Sequence, residues 1–251
     1  MRIVLKFGSG ILANPKGTTL EEKQFRRLAA EVAALVREGH ECLIVSSGAV
    51  AAGLGVLGLK ERPEALSARQ ACAAVGQSKL MHLYAECFAQ HGLHVAQLLL
   101  THGDLDSRTR SAYVSCTLQR IFEQKTVVPI INENDPLAVE ELKFGDNDKL
   151  SAEVAKLVQA DRLLLLTSVD GLLDAEGRLV TLVNDVGTVA GLAKPEKGRL
   201  SVGGMTSKLQ AVQIAVEAGV QTWILSGRKA GRIAGAVAGK KAGTVFVAGQ
   251  L

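Results

Sequence analysis

Short apolar runs rich in Val, Ile and Leu alternate along the chain with longer stretches in which apolar residues recur at helical spacing. The runs Arg2–Phe7, Glu41–Ser46, His94–Leu99, Thr126–Ile131, Asp161–Leu166, Gln221–Leu225 and Thr244–Val247 predict strands. Most are continuously apolar, which is the pattern of parallel strands buried on both faces. Between them, Phe25, Leu28, Ala29, Val32, Leu35 and Val36 share one face of a helix that Gly39 ends. Further helices are predicted over Ala68–Gln90, Ser107–Glu123, Ser151–Gln159 and Met205–Ala218. The β-α-β-α order predicts an α/β fold: an open, mostly parallel sheet sandwiched between helices in three layers. Strand count and uneven insertions argue against a closed barrel. The longest loops fall around Leu137–Phe144 and Leu173–Arg199, and a lobe boundary is expected near Asp161.

Composition supports this picture. The 251 residues are 47% hydrophobic and only 4% aromatic, enough for a full core in a helix-and-sheet protein. The net charge of +4 is dispersed. The densest basic group (Arg228, Lys229, Arg232, Lys240 and Lys241) has no interleaved aromatics, so no nucleic-acid partner is expected. Cys42, Cys72, Cys87 and Cys116 sit in apolar surroundings without metal-ligand spacing and are expected to be reduced and mostly buried. The histidines are dispersed, and no metal site is predicted. No signal peptide is visible and no run approaches the ~18 apolar residues of a spanning helix, so the expected location is cytoplasmic.

One motif is a decoy. Gly53-Leu-Gly55-Val-Leu-Gly58 matches the dinucleotide fingerprint, but its glycines do not directly follow a strand, and no acidic residue stands near position 75. These glycines are expected to end a short helical turn over Ala49–Ala52 and form a loop.

The chemistry gathers at strand ends. In a parallel sheet the carboxyl ends of the strands share one edge, where ligands bind. Lys6-Phe7-Gly8-Ser9-Gly10 closes the first strand and Ser46-Ser47-Gly48 the second. Lys6 lies inside an otherwise apolar strand, a point charge suited to phosphates. Asn132-Glu133-Asn134-Asp135 gives four polar side chains at one strand end, more than a turn requires, and predicts a polar ligand pocket. Asp146, Asn147 and Asp148 precede a helix that needs only one cap, so the remaining groups could orient lysines or reach a substrate ammonium. Thr167-Ser168 is a candidate adenine or ribose contact. Val202, Gly203, Gly204, Met205, Thr206, Ser207 and Lys208 open a helix. A lysine there is unfavourable for the helix itself by ~0.3–1 kcal/mol, which argues for an anionic partner such as a nucleotide phosphate.

In this order, Lys6-Phe-Gly-Ser, Ser47-Gly-Ala, Ile131-Asn-Glu-Asn-Asp135, Gly145-Asp-Asn-Asp148 and Gly203-Gly-Met-Thr-Ser-Lys208 resemble the amino acid kinase family, in its glutamate-phosphorylating branch. The resemblance covers nearly the whole chain. It implies ATP-dependent phosphorylation of the γ-carboxylate of L-glutamate, the first step of proline biosynthesis. Within the class the alternative acceptors are N-acetylglutamate and aspartate, and outside it a non-catalytic amino-acid or nucleotide sensor. By resemblance, Lys6 and Lys208 contact the transferring phosphoryl group and Asp148 holds them. Ser47, Asn132, Asp135, Asp146 and Asn147 bind glutamate. Lys6, Gly8, Ser9, Thr167, Ser168 and 202–208 line the nucleotide pocket, with Mg²⁺ carried on the phosphates. Residues 1–160 would form the amino-acid lobe and 161–251 the nucleotide lobe. A homo-oligomer (dimer or tetramer) and feedback inhibition by proline are also implied. The chain departs from the pattern in carrying Ser168 where an acidic residue or Asn is common. It also stops at Leu251, so a C-terminal RNA-modification-type (PUA) domain is expected to be absent.

Overall fold

The computed structural model describes residues 1–137, 147–192 and 204–247. The chain starts with β1 (Arg2–Phe7), α1 (Ser9–Leu12), α2 (Glu22–Arg37), β2 (Glu41–Ser46), α3 (Ala49–Leu57) and α4 (Leu66–Ala89). It continues through β3 (His94–Leu100), α5 (His102–Asp106), α6 (Arg108–Glu123), β4 (Val127–Glu133), α7 (Asn147–Leu157) and β5 (Arg162–Thr167). After β6 (Leu182–Val183) and a 3-10 turn over Val186–Leu192 come α8 (Gly204–Glu217), β7 (Gln221–Ser226), α9 (Arg232–Val237) and β8 (Thr244–Phe246). The strands form one sheet in the order β3-β4-β2-β1-β5-β7-β8-β6. Its paired strands run parallel except β7 with β8. The expected open, mostly parallel sheet between helix layers is therefore present. It runs unbroken across the expected lobe boundary, since β1 pairs with both β2 and β5.

The two-residue period of a strand decides which side chains meet which helix layer. In β1, Ile3, Leu5 and Phe7 pack on one face with Phe25, Leu28 and Val32 of α2, Leu80, Leu83 and Phe88 of α4, and Ile233 of α9. Val4 faces the other way, into a cluster with Leu118 and Phe122 of α6, Leu150 and Val154 of α7, and Val212 of α8. Each such side chain contributes about 1.5–3 kcal/mol on burial. Lys6 shares the parity of Val4. It therefore points toward the layer that holds α7 and α8, a fact that sets the site below.

Several expectations need correction. Helix α3 does not stop at Ala52 but runs through Gly53 and Gly55, and Gly58, at φ +66°, ends it. Its glycines serve packing: a Cβ on Gly53 would lie 1.9 Å from the Cys72 carbonyl oxygen of α4, and one on Gly76 would lie 1.8 Å from that of Ala49. Helix α7 begins at Asn147, not Ser151, so Asn147 and Asp148 lie in its first turn. Cys116 is exposed on α6, while the other three cysteines are buried. The expected loop after Leu173 contains β6 and the 3-10 turn within its described part. Among the described residues no helix is long and apolar enough to cross a membrane.

Candidate functional site

The carboxyl ends of β1, β2, β4 and β5 come together at one edge of the sheet. At its centre are two lysines and one carboxylate. Lys6, buried near the end of β1, forms an ion pair through Nζ with Asp148 Oδ1. Lys208, in the first turns of α8, places its Nζ 3.1 Å from Asp148 Oδ2 and donates to the Gly204 carbonyl oxygen at 3.0 Å. The Asp148 side chain is 1% exposed, and those of Lys6 and Lys208 are 7% and 13% exposed. Helices α7 and α8 pack against each other, so the aspartate of one meets the lysine of the other where strand parity delivers Lys6. Asp148 thus pairs with both lysines, one on each carboxylate oxygen. A buried charge is tolerated only when paired, and here one buried carboxylate faces two ammonium groups.

Beside this triad runs a line of amides. Asn147 Nδ2 donates to the Ser46 carbonyl oxygen (2.6 Å), to Asn132 Oδ1 (2.8 Å) and, more weakly, to Ser47 Oγ (3.3 Å). Asn132 Nδ2 donates to Gln77 Oε1 of α4 at 2.8 Å. Three of the expected acceptor-pocket residues, Ser47, Asn132 and Asn147, are thus in one network. Asp135 follows β4 and is half-buried; burial pushes its carboxyl up to about 6, against the pull of the Arg62 guanidinium. Gln70 Nε2 donates to the backbone carbonyls of Asp135 (3.4 Å) and Pro136 (3.1 Å), tying α4 to this turn.

On the other side of the triad, the turn after β1 meets the turn after β5. The Gly8 N–H donates to the Leu166 carbonyl oxygen at 3.4 Å. A Cβ built on Gly8 would lie 3.6 Å from Lys6 Nζ, and one on Gly10 3.8 Å from Ser168 Oγ. Ser9 lies between them, in the first turn of α1. Thr167 is buried and its Oγ1 accepts from the Val169 N–H at 3.0 Å, so the hydroxyl shapes its own turn, whereas Ser168 is exposed. Gly204, Met205, Thr206 and Ser207 form the start of α8, with Thr206 exposed and Ser207 Oγ donating to the Gly204 carbonyl oxygen at 3.3 Å. Asp146, Val202 and Gly203 lie outside the described residues.

Two groups at this edge were not anticipated. Gln77 sits on the buried face of α4, four residues after Ala73 and three before Leu80, and a polar residue in that apolar stripe was the available signal. His102, at the start of α5, meets Glu153 of α7 at 2.5 Å, and Lys149 stands 3.5 Å from the same carboxylate. The hydrogen bond that the ring donates to Glu153 holds the imidazole above its usual range, helped by Glu133 and opposed by burial and Lys149.

Comparison with known proteins fits this geometry. The amino acid kinase family model matches residues 1–226. The glutamate 5-kinase of Clostridium acetobutylicum is 41% identical, over 98% of this chain and 94% of its own length. The glutamate 5-kinases of Citrifermentans bemidjiense and Thermus thermophilus are 44% and 45% identical over 99% and 98% of the chain, which spans 68% and 67% of their lengths.

Proposed function

The chain belongs to the amino acid kinase family, and from that premise we propose that it transfers the γ-phosphoryl group of ATP to the γ-carboxylate of L-glutamate, giving glutamyl 5-phosphate, the first step of proline biosynthesis. The observation that carries this reading is the pairing of Lys6 and Lys208 with the single buried carboxylate of Asp148 at the sheet edge. A carboxylate nucleophile with an ordinary pKa near ~4.3 is ionised at neutral pH and needs no general base. The difficulty is bringing one anion to a polyanion, which asks for positioning and fixed positive charge. Lys6 and Lys208 supply that charge to the moving phosphoryl group, and Asp148 keeps both ammonium groups aimed at it. Gly8, Ser9, Thr167, Ser168 and 202–208 would line the nucleotide side, so 161–251 would serve the nucleotide together with the turn after β1, and the rest of 1–160 the amino acid.

Magnesium, a hard cation that keeps phosphate and water oxygens as ligands, would enter with the nucleotide and neutralise its phosphates. The Asp148 carboxylate already faces the two lysines, which suits an ion carried on the phosphates better than one held by that side chain.

On the acceptor side, Ser47, Asn132, Asn147, Asp135 and Asp146 would hold glutamate. Asp135, ionised above about pH 6, favours a free α-ammonium over an acetylated amine. A homo-oligomer and proline as a feedback ligand complete the reading. The test is hydroxylamine trapping of the acyl phosphate with ATP across L-glutamate, N-acetyl-L-glutamate and L-aspartate. Glutamate should be preferred by at least about 100-fold in kcat/KM; equal or better turnover of N-acetylglutamate would overturn the assignment.

A further inference from the structure

The amide line beside the lysine clamp has a direction that the backbone fixes. The Ser46 carbonyl oxygen can only accept, so the end of Asn147 that meets it is the NH₂ group. Asn132 Oδ1 accepts from that NH₂ and also from the Glu133 backbone N–H at 2.9 Å, which can only donate. Asn132 must therefore present its own NH₂ to Gln77, whose Oε1 accepts it. Flipping Asn147 would set acceptor against acceptor, and flipping Asn132 would set donor against donor. Two ends remain without a partner among the described residues: the acceptor Asn147 Oδ1 and the donor Gln77 Nε2. Both atoms are buried, in residues 6% and 9% exposed. Buried polar atoms are nearly always paired, and an orphan in an otherwise satisfied network marks the place of a missing group.

The two ends occupy different distances from the chemistry. Asn147 adjoins Asp148 and bonds to the end of β2, next to β1 and Lys6. Gln77 is reached through Asn132 on β4, two strands from β1. At about 4.8 Å per strand, the offset within the sheet is roughly 10 Å, and the separation is greater still because Lys6 faces the α7 and α8 layer while Gln77 belongs to the α4 layer. The carboxyl carbons of an extended glutamate are about 5 Å apart across four C–C bonds. A phosphoryl group held by the lysines fills the rest. Gln77 lies on the far side of the edge from the clamp, the side on which the α end of an acceptor would fall if its γ-carboxylate met the phosphoryl group.

We propose that Gln77 is a specificity-determining residue, its Nε2 donating a hydrogen bond to the α-carboxylate of the amino-acid substrate. The inference rests on the glutamate reading above. Asn132 fixes the Gln77 amide from behind, so the donor is pre-aimed. A substrate without an anionic group at that end leaves the buried N–H poorly matched and is discriminated against.

The test uses Gln77→Glu, which keeps an oxygen for Asn132 and turns the free donor into an acceptor. Initial rates are measured with L-glutamate and with its α-amide, L-isoglutamine, which retains the γ-carboxylate. Wild type should prefer glutamate strongly. Gln77→Glu should raise the glutamate KM by roughly 10–100-fold, the scale of a lost charge-assisted hydrogen bond. The KM for ATP should stay within about 2-fold and kcat within about 5-fold. The preference for glutamate over the α-amide should collapse or invert, because the amide brings N–H donors to the new carboxylate. Gln77→Met, which lacks any donor, is the second variant should Gln77→Glu not fold, and it should flatten the same preference. Equal losses on both substrates would mean a structural role and overturn the inference. A wild type that turns over glutamate, with variants that keep its preference, sinks the inference alone. A wild type that fails to phosphorylate glutamate sinks the reading beneath it.

Discussion

Replacing Asp148 by Asn removes the counter-ion of two buried ammonium groups and changes almost nothing else in shape. Water cannot take over, because the carboxylate is 1% exposed and the lysines 7% and 13%. Removing one member of a buried ion pair costs about 3–5 kcal/mol, mostly because the partner stays buried and uncompensated. Two stranded lysines push the figure up. The bond from Lys208 to the Gly204 carbonyl oxygen survives and pulls it down. A net loss of about 3–4 kcal/mol is expected. At roughly 2–4 °C per kcal/mol for a chain of this size, that lowers Tm by about 6–16 °C. The nucleotide should reverse part of this, because its phosphates bring negative charge to the same ammonium groups. A non-hydrolysable ATP analogue at saturation should therefore raise the Tm of Asp148→Asn by more than that of wild type. Turnover should fall about 10³-fold or more, since misplacing one charged donor at a developing anion already costs about 10²–10³-fold. Differential scanning fluorimetry with and without the analogue, together with hydroxylamine trapping, reads both effects. A Tm within about 2 °C of wild type together with turnover within about 10-fold would refute the electrostatic argument. A destabilised variant with unchanged turnover would refute its catalytic half.

Asp135, raised to about 6 by burial, should give kcat/KM for glutamate an acid limb near pH 6 that Asp135→Asn abolishes in a pH–rate profile. Because its folded-state value lies above the unfolded one, its contribution to stability is present at low pH and lost as pH rises through about 6, so Asp135→Asn should gain Tm relative to wild type at pH 8 and not at pH 4. The His102 imidazole is likewise raised, chiefly by Glu153, so its stabilising share is full below about pH 6.5 and lost above it. Glu153→Gln should flatten that part of the Tm–pH curve, and a curve of unchanged slope would count against the pair. Gly76→Ala drives a methyl group into the Ala49 carbonyl oxygen, 1.8 Å away, and should cost at least about 1–3 kcal/mol in urea unfolding while raising the glutamate KM through displacement of the adjacent Gln77.

The parts of the fold that the sequence revealed are those with a strong local signal. β1 and β2 match their expected bounds, because a continuous apolar run ends abruptly at polar or glycine residues. β6 escaped because Leu182–Val183 is too short to carry any period. The reversal of β8 against β7 escaped because direction depends on how the chain returns, which no residue in Thr244–Phe246 records. The true extent of α3 was hidden for a different reason. Glycine is locally a helix breaker, and only the approach of α4 makes Gly53 necessary inside one. Local preference and tertiary contact gave opposite answers there, and the contact prevailed.

The site divides along the same line. Lys6, Asn132, Asp148 and Lys208 were legible because a polar group at the end of an apolar strand, or a lysine at a helix start, has no local justification. Gln77 and Glu153 were not, because a single polar residue on a helix has many local justifications and its partner lies far away in sequence. Yet Gln77 occupies the inner stripe of α4, between Ala73 and Leu80, where burying an amide makes sense only if something receives it. One of its polar atoms is received by Asn132 and the other is not. The same reasoning that made Lys6 conspicuous in a strand therefore applies to Gln77 once the helix face is known. In both, a polar group stands in an apolar row at the edge where the ligand is expected, and each is accounted for only by a partner outside its own element. Lys6 finds part of its partner in Asp148, and in the proposed reading its remaining charge faces the phosphates. Gln77 finds part of its own in Asn132, and in the proposed reading its Nε2 faces the amino acid, so the two stand at opposite ends of the reacting pair of phosphoryl donor and acceptor.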